Sequence, residues 1–187
     1  VAHLELAVEL GAELQLDQVI TGWQADGDSY RVQTETSVFH ADRLVITMGS
    51  WADTMLEDLG LEFTVLAKPL HWYPAELPHY HQDNGCPCFF YEVPEGHFYG
   101  FPAFGDGDLK VAKHSGGDEV TDPLHVDRGL DRQEQLEVEQ FLQDYLPCVT
   151  RQASGHVVCL YTMAADRFFT VDRLPQHPGV AIAAGLS

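Results

Sequence analysis

Apolar and polar residues alternate with a period of two along most of this chain, and a period near 3.6 surfaces in only a few stretches. Leu4, Ala7, Val8 and Leu10 have helical spacing within Val1–Leu10, and Gly11 can end that helix. Strand-like runs follow over Glu13–Thr21, Tyr30–Thr34 and Ser37–Ala41, with Asp-Gly-Asp at 26–28 turning the chain between the first two. Arg43–Met48 holds the unbroken apolar run Leu-Val-Ile, of the kind buried in a parallel sheet. It leads through Met-Gly-Ser-Trp into a helix over Ala52–Leu59. After Gly60 the chain turns aromatic. Phe63–Pro74 reads as a strand, Glu76–Pro87 as a polar, His-rich loop, and Phe89–Val93 as another strand.

The chain is organised around Phe98–His114, two strands joined by Gly-Asp-Gly-Asp at 105–108, where glycine supplies the positive φ of a tight turn. Side chains alternate faces along a strand, so Lys110, Ala112 and His114 share one surface and Leu109, Val111 and Lys113 the other. Tyr99 is available from the partner strand. The hairpin reads either as a structural element with solvated charges, or as a floor for a flat ligand beside two proton-handling side chains. Asp131–Tyr145 is the clearest helix, with Leu136, Phe141, Leu142 and Tyr145 near one stripe and Pro147 closing it. Strands are expected again over His156–Thr162, Phe168–Val171 and Val180–Ala184. On the first of these Cys159 and Tyr161 face the same way, and by pattern alone Cys159 is a small buried residue.

The pattern predicts an α+β fold: a mixed, largely antiparallel sheet that includes 89–93, 98–104 and 109–114, with helices on one face. To it is added part of an α/β dinucleotide-binding domain near the start of the chain. The glycine-rich fingerprint G-x-G-x-x-G is absent, so any α/β fragment satisfies that part of the pattern equally well.

Charge and composition narrow the function. The formal net charge is −19, with lysine only at 68, 110 and 113, which excludes the basic face that nucleic acid binding needs. Cys86, Cys88, Cys148 and Cys159 are too few and too irregular for a disulfide framework, so a reducing cytoplasm is expected. No apolar run approaches the ~20 residues of a membrane span. His-Tyr-His at 79–81 and Cys-Pro-Cys at 86–88 raise the question of zinc, but C-x-C is a poor match to zinc spacing and no metal is expected. No G-x-S-x-G nucleophile elbow is present. The chain opens at Val1 inside a helix pattern and stops at Ser187 just after an apolar strand, as a piece of a longer protein would.

Six runs, in order, carry a resemblance: A-D-R-L-V-I-T-M-G-S-W, H-W-Y, Y-E-V-P-E-G-H-F-Y-G-F-P-A-F-G, L-K-V-A-K-H, V-V-C-L-Y-T and V-A-I-A-A-G-L-S. Over nearly its whole length the chain resembles the monomeric sarcosine oxidase and N-methyltryptophan oxidase family, flavin-dependent amine oxidases. The resemblance implies oxidation of the C–N bond of an N-methyl or secondary amino acid, with FAD as cofactor, O2 as oxidant and hydrogen peroxide as product. It implies that Lys110 promotes oxygen reduction, that Tyr99, His114 and Tyr161 line the substrate pocket, and that Cys159 bonds covalently to the flavin. It further implies that Val19, Met48, Gly49, Trp51 and Gly185 lie along the FAD. The expected division is a partial FAD-binding domain over 1–60, a substrate-binding domain over 61–155, and a truncated return to the FAD-binding domain over 156–187. The family's glycine-rich first segment and the loop after its last strand have no counterpart here. This chain alone is therefore expected to be inactive and to self-associate through an exposed sheet edge. A non-catalytic binding or assembly domain on the same scaffold, and a His/Cys metal protein, are the alternatives.

Overall fold

The computed structural model describes residues 2–56 and 60–186. Strands dominate it, and the fold is mixed α/β with mostly antiparallel sheets and few helices. Two compact units divide the chain, one up to Thr47 together with Val171–Ala183, the other Met48–Thr170 with the residues from Ala184 on.

In the first unit, helix α1 (Ala2–Glu9) precedes a meander of β1 (Ile20–Asp26), β2 (Ser29–Thr34) and β3 (Val38–Ala41), paired in that order. Asp26 lies opposite Ser29, with Gly27 at φ 62 between them, so the Asp-Gly-Asp turn forms where its chemistry predicts. The first strand starts later than its alternation suggests. Residues 13–19 are not strand, Leu14 and Leu16 are exposed, and Asp17 sits at φ 56. Alternation without a partner strand to take up the backbone groups leaves the segment irregular. Strand β4 (Leu44–Ile46) is parallel to a late strand, Val180 to Ile182 lying opposite Leu44 to Ile46. The Tyr30 hydroxyl accepts the Gly179 N–H at 3.1 Å, and the tyrosine ring lies so close that a side chain at 179 would strike it.

In the second unit, a single 3-10 turn over Gly49–Trp51 runs into α2 (Ala52–Leu56); the expected continuation of this helix through 57–59 lies outside the described residues. The main sheet is built from β5 (Phe63–Tyr73), β6 (Phe89–Val93), β7 (Gly96–Phe101), β8 (Leu109–Lys113), β9 (Asp118–Glu119) and β10 (Gly155–Ala164). Its order is β10-β5-β8-β7-β6, with β9 also beside β5, and these pairings are antiparallel. Gly100 is required in β7, because a Cβ there would meet the Phe89 ring at 2.2 Å and the Lys110 carbonyl at 2.5 Å. The last strands, β11 (Thr170–Leu174) and β12 (His177–Ala184), form the sheet β11-β12-β4. Phe168 and Phe169 fall outside β11 and are exposed.

Helix α3 (Arg132–Tyr145) covers one face of the main sheet. The Asp131 carboxylate caps it, accepting from the Gln133 and Glu134 backbone N–H groups. Val138, Phe141 and Leu142 bury against Tyr73, Phe98, Leu109 and Val111, and the Phe98 and Phe141 rings stack at 4.4 Å. The buried stripe runs through 138, 141 and 142, at i, i+3 and i+4. Leu136 stands off that stripe and is 44% exposed, contrary to its expected place on it. Lys113 reaches the helix from β8 and pairs with Glu137 at 2.6 Å.

Candidate active site

Residues directly opposite one another in a ladder share a face of the sheet. Lys110 lies opposite Trp72 on one side and Phe101 on the other, and Ala112 opposite Tyr99. Two and four residues before Trp72 on β5, Leu70 and Lys68 share its face, and Lys68 lies opposite Cys159, with Tyr161 two residues on. The face turned away from α3 thus carries Lys110, Tyr99, Tyr161 and Cys159 together, with His114 just past the end of β8.

The side chains meet. His114 Nδ1 and the Tyr161 hydroxyl are 3.3 Å apart. The His114 ring lies 5.4 Å from that of Tyr161, 6.1 Å from Tyr99 and 5.5 Å from Phe90. The Lys110 ammonium sits 4.9 Å from the Phe101 ring and 5.8 Å from the Tyr99 ring. Burial, with the Tyr161 hydroxyl bonded to it, pushes the Tyr99 phenol well above its ordinary value. His114 is held below the usual histidine range, first by burial and then by the charges of Lys68 and His97, which favours the neutral imidazole. The arrangement offers one cation over aromatic faces, one neutral imidazole hydrogen-bonded to a phenol, and a thiol.

Cys159 is exposed rather than buried. Its strand is apolar in sequence, but only one of its faces meets the core, and Cys159 is on the other. Met48, Gly49 and Trp51 fall in and beside the 3-10 turn, which packs next to β10. Gly185 has φ 70 and approaches the Phe168 carbonyl and Ala164 at the end of β10. Val19 precedes β1 in the other compact unit, where it is exposed.

Sequence reasoning gave no role to Lys68, Phe90 or Phe101. Lys68 carried a signal, being one of only three lysines and set inside an apolar strand. Among the described residues no group of three or more His, Cys, Asp and Glu side chains is arranged to hold a metal ion. No described helix is long and apolar enough to cross a membrane.

All 187 residues match the DAO family, FAD dependent oxidoreductase. The chain belongs to this family. It is 32% identical over 190 residues to a monomeric sarcosine oxidase of Arthrobacter sp., covering 100% of this chain and 49% of that protein. It is 30% identical over 186 residues to the N-methyl-L-tryptophan oxidase of Salmonella typhi, covering 98% of this chain and 49% of that one. The fold is that of NikD, described as an unusual amino acid oxidase essential for nikkomycin biosynthesis, with a TM-score of 0.79 and 21% identity over 100% of this chain and 51% of NikD. The chain spans about half the length of the curated relatives it matches. The donor set of the open face suits the FAD that the family implies: an exposed thiol, flat aromatic walls, and an ammonium with no carboxylate paired to it among the described residues.

Proposed function

We propose that this chain carries the substrate-side wall of an FAD-dependent oxidase acting on N-methyl or secondary amino acids. The observation that carries the proposal is the convergence of Lys110, Tyr99, His114, Tyr161 and Cys159 on one sheet face in a chain of this family. Bound FAD would supply the two-electron oxidation of the substrate C–N bond. Lys110 would hold a fixed positive charge where negative charge develops on dioxygen as it is reduced to hydrogen peroxide. His114, neutral and hydrogen-bonded to Tyr161, would orient the amino acid, and the phenol rings of Tyr99 and Tyr161 would exclude water from its apolar side. Met48, Gly49, Trp51 and Gly185 would line the cofactor, and Cys159 would anchor it covalently. Four free thiols fit a cytoplasmic setting. Exposed Phe168, Phe169 and Val171 support self-association of the isolated chain.

The test joins this chain to the remaining half of a sarcosine oxidase relative and supplies FAD. Sarcosine, N-methyltryptophan and proline are then offered, with flavin bleaching read without air and peroxide read with it. Bleaching by at least one of these amines, with peroxide on admitting air, supports the proposal. A flavin-loaded protein that none of them reduces would sink it.

A further inference from the structure

Lys68 has no part in the reaction proposed above, yet it is the most completely buried charged side chain described, at 1% exposure. Its Nζ donates to the carbonyl oxygens of Ser115 and Gly116, each at 3.0 Å. It also lies 5.6 Å from the centre of the Tyr161 ring. Ser115 and Gly116 directly follow His114, and Tyr161 is the partner of His114 Nδ1. Gly117, at φ +111, lets the backbone close over the lysine stem; a Cβ there would come within 2.8 Å of the Ala67 carbonyl and 2.9 Å of Lys68 Cδ.

We infer that Lys68 is a positioning residue of the pocket wall, fixing the His114–Tyr161 pair from below through the 115–116 turn on one side and the tyrosine ring on the other. Its bearing on catalysis rests on the amine oxidase reading; its geometry does not. Burying an ammonium costs several kcal/mol. Two charge-assisted hydrogen bonds and the face of a ring offset that cost here. A methionine would fill the same space without it, so the charge itself has work to do. That work is electrostatic. Around His114 stand Lys68 from β5, His97 and Tyr99 from β7 and Tyr161 from β10, with Lys110 four residues back along β8. Burial, with a lesser push from Lys113, lowers the pKa of Lys68, and Glu134 of α3 works against that shift. With the imidazole kept neutral, Nδ1 is free to accept from the Tyr161 hydroxyl, so the clamp and the charge act on the same hydrogen bond.

The test is the titration of His114, followed by nitrogen-15 NMR of the imidazole in the native chain and in Lys68→Met, Lys68→Gln and Lys68→Arg. Losing the charge should raise the His114 pKa in Lys68→Met, and Lys68→Arg should leave it near the native value. Lys68→Gln keeps a donor without the charge and stands in if the methionine variant does not fold. A folded uncharged variant whose His114 titrates as in the native chain overturns the inference, even if its melting temperature has dropped, since a space-filling role predicts just that pattern. If no variant folds, a native His114 that titrates at or above about 6.5 overturns the inference. The readout needs no flavin, so a failed oxidase assay and a failed titration are separate results.

Discussion

His71 lies near the end of β5 on the α3 side of the sheet, fully buried, with neither ring nitrogen hydrogen-bonded. Burial, with a smaller push from His156, lowers its pKa from 6.5 to about 4. The folded state therefore binds fewer protons here than the unfolded state between those two values. Stability rises with pH through that window, is complete above about 6.5, and is lost as pH falls toward 4. A shift of about 2.5 units at ~1.4 kcal/mol each makes the loss about 3 kcal/mol. Replacing His71 with Leu removes the titrating group and both orphaned nitrogens at similar volume. The variant should match the native chain within about 1 kcal/mol at pH 7, and exceed it by about 3 kcal/mol more at pH 4. In urea, with a slope near 2 kcal/mol/M, that is a midpoint difference of roughly 1.5 M. Far-ultraviolet and near-ultraviolet circular dichroism should give coincident transitions, which checks that one free energy describes the unfolding. If native and variant midpoints fall in parallel from pH 7 to pH 4, the reasoning about His71 is wrong.

Glu134 should show the opposite slope. Burial lifts its carboxyl to about 7, so stability is present at low pH and lost as pH rises from 4.5 toward 7; Glu134→Gln should flatten that limb by roughly 1–2 kcal/mol in urea titrations. Phe141→Ala, which removes the ring stacked on Phe98, should cost about 3–5 kcal/mol in chemical denaturation. Asp131→Ala should cost ~1 kcal/mol through the lost cap of α3, visible in the same assay. In the flavin-loaded hybrid, Lys110→Met should slow reoxidation by oxygen far more than reduction by amine; equal slowing of both half-reactions in stopped flow would remove Lys110 from the oxygen step.

Much of the main sheet was legible because its signals are local. The period of two over 109–114 correctly set Leu109 and Val111 on one face and Lys110 and Ala112 on the other; the structure shows that the first pair meets the helix. The Asp-Gly-Asp turn likewise rests on residues a few positions apart. What escaped depends on distant partners. Lys68 meets Ser115 from 47 residues away, which no window of periodicity contains. Cys159 read as buried because its strand is apolar on both faces, and only the tertiary packing chooses which face is covered. Glu13–Thr21 alternates like a strand, but strand β1 starts only at Ile20.

The pairing of β4 with β12 also dictates an order of events during synthesis. Leu44–Ile46 is made well before its neighbour Val180–Ile182, with most of the second unit between them. Joining those ends closes a loop of roughly 130 residues, which in an unfolded chain costs about 4 kcal/mol of entropy. Three residue pairs are a small return on that. The main sheet, once formed, shortens the loop to the width of a folded body. The first unit is then completed after the main sheet, and until Val180–Ile182 is made the apolar run of β4 has no strand beside it on that edge.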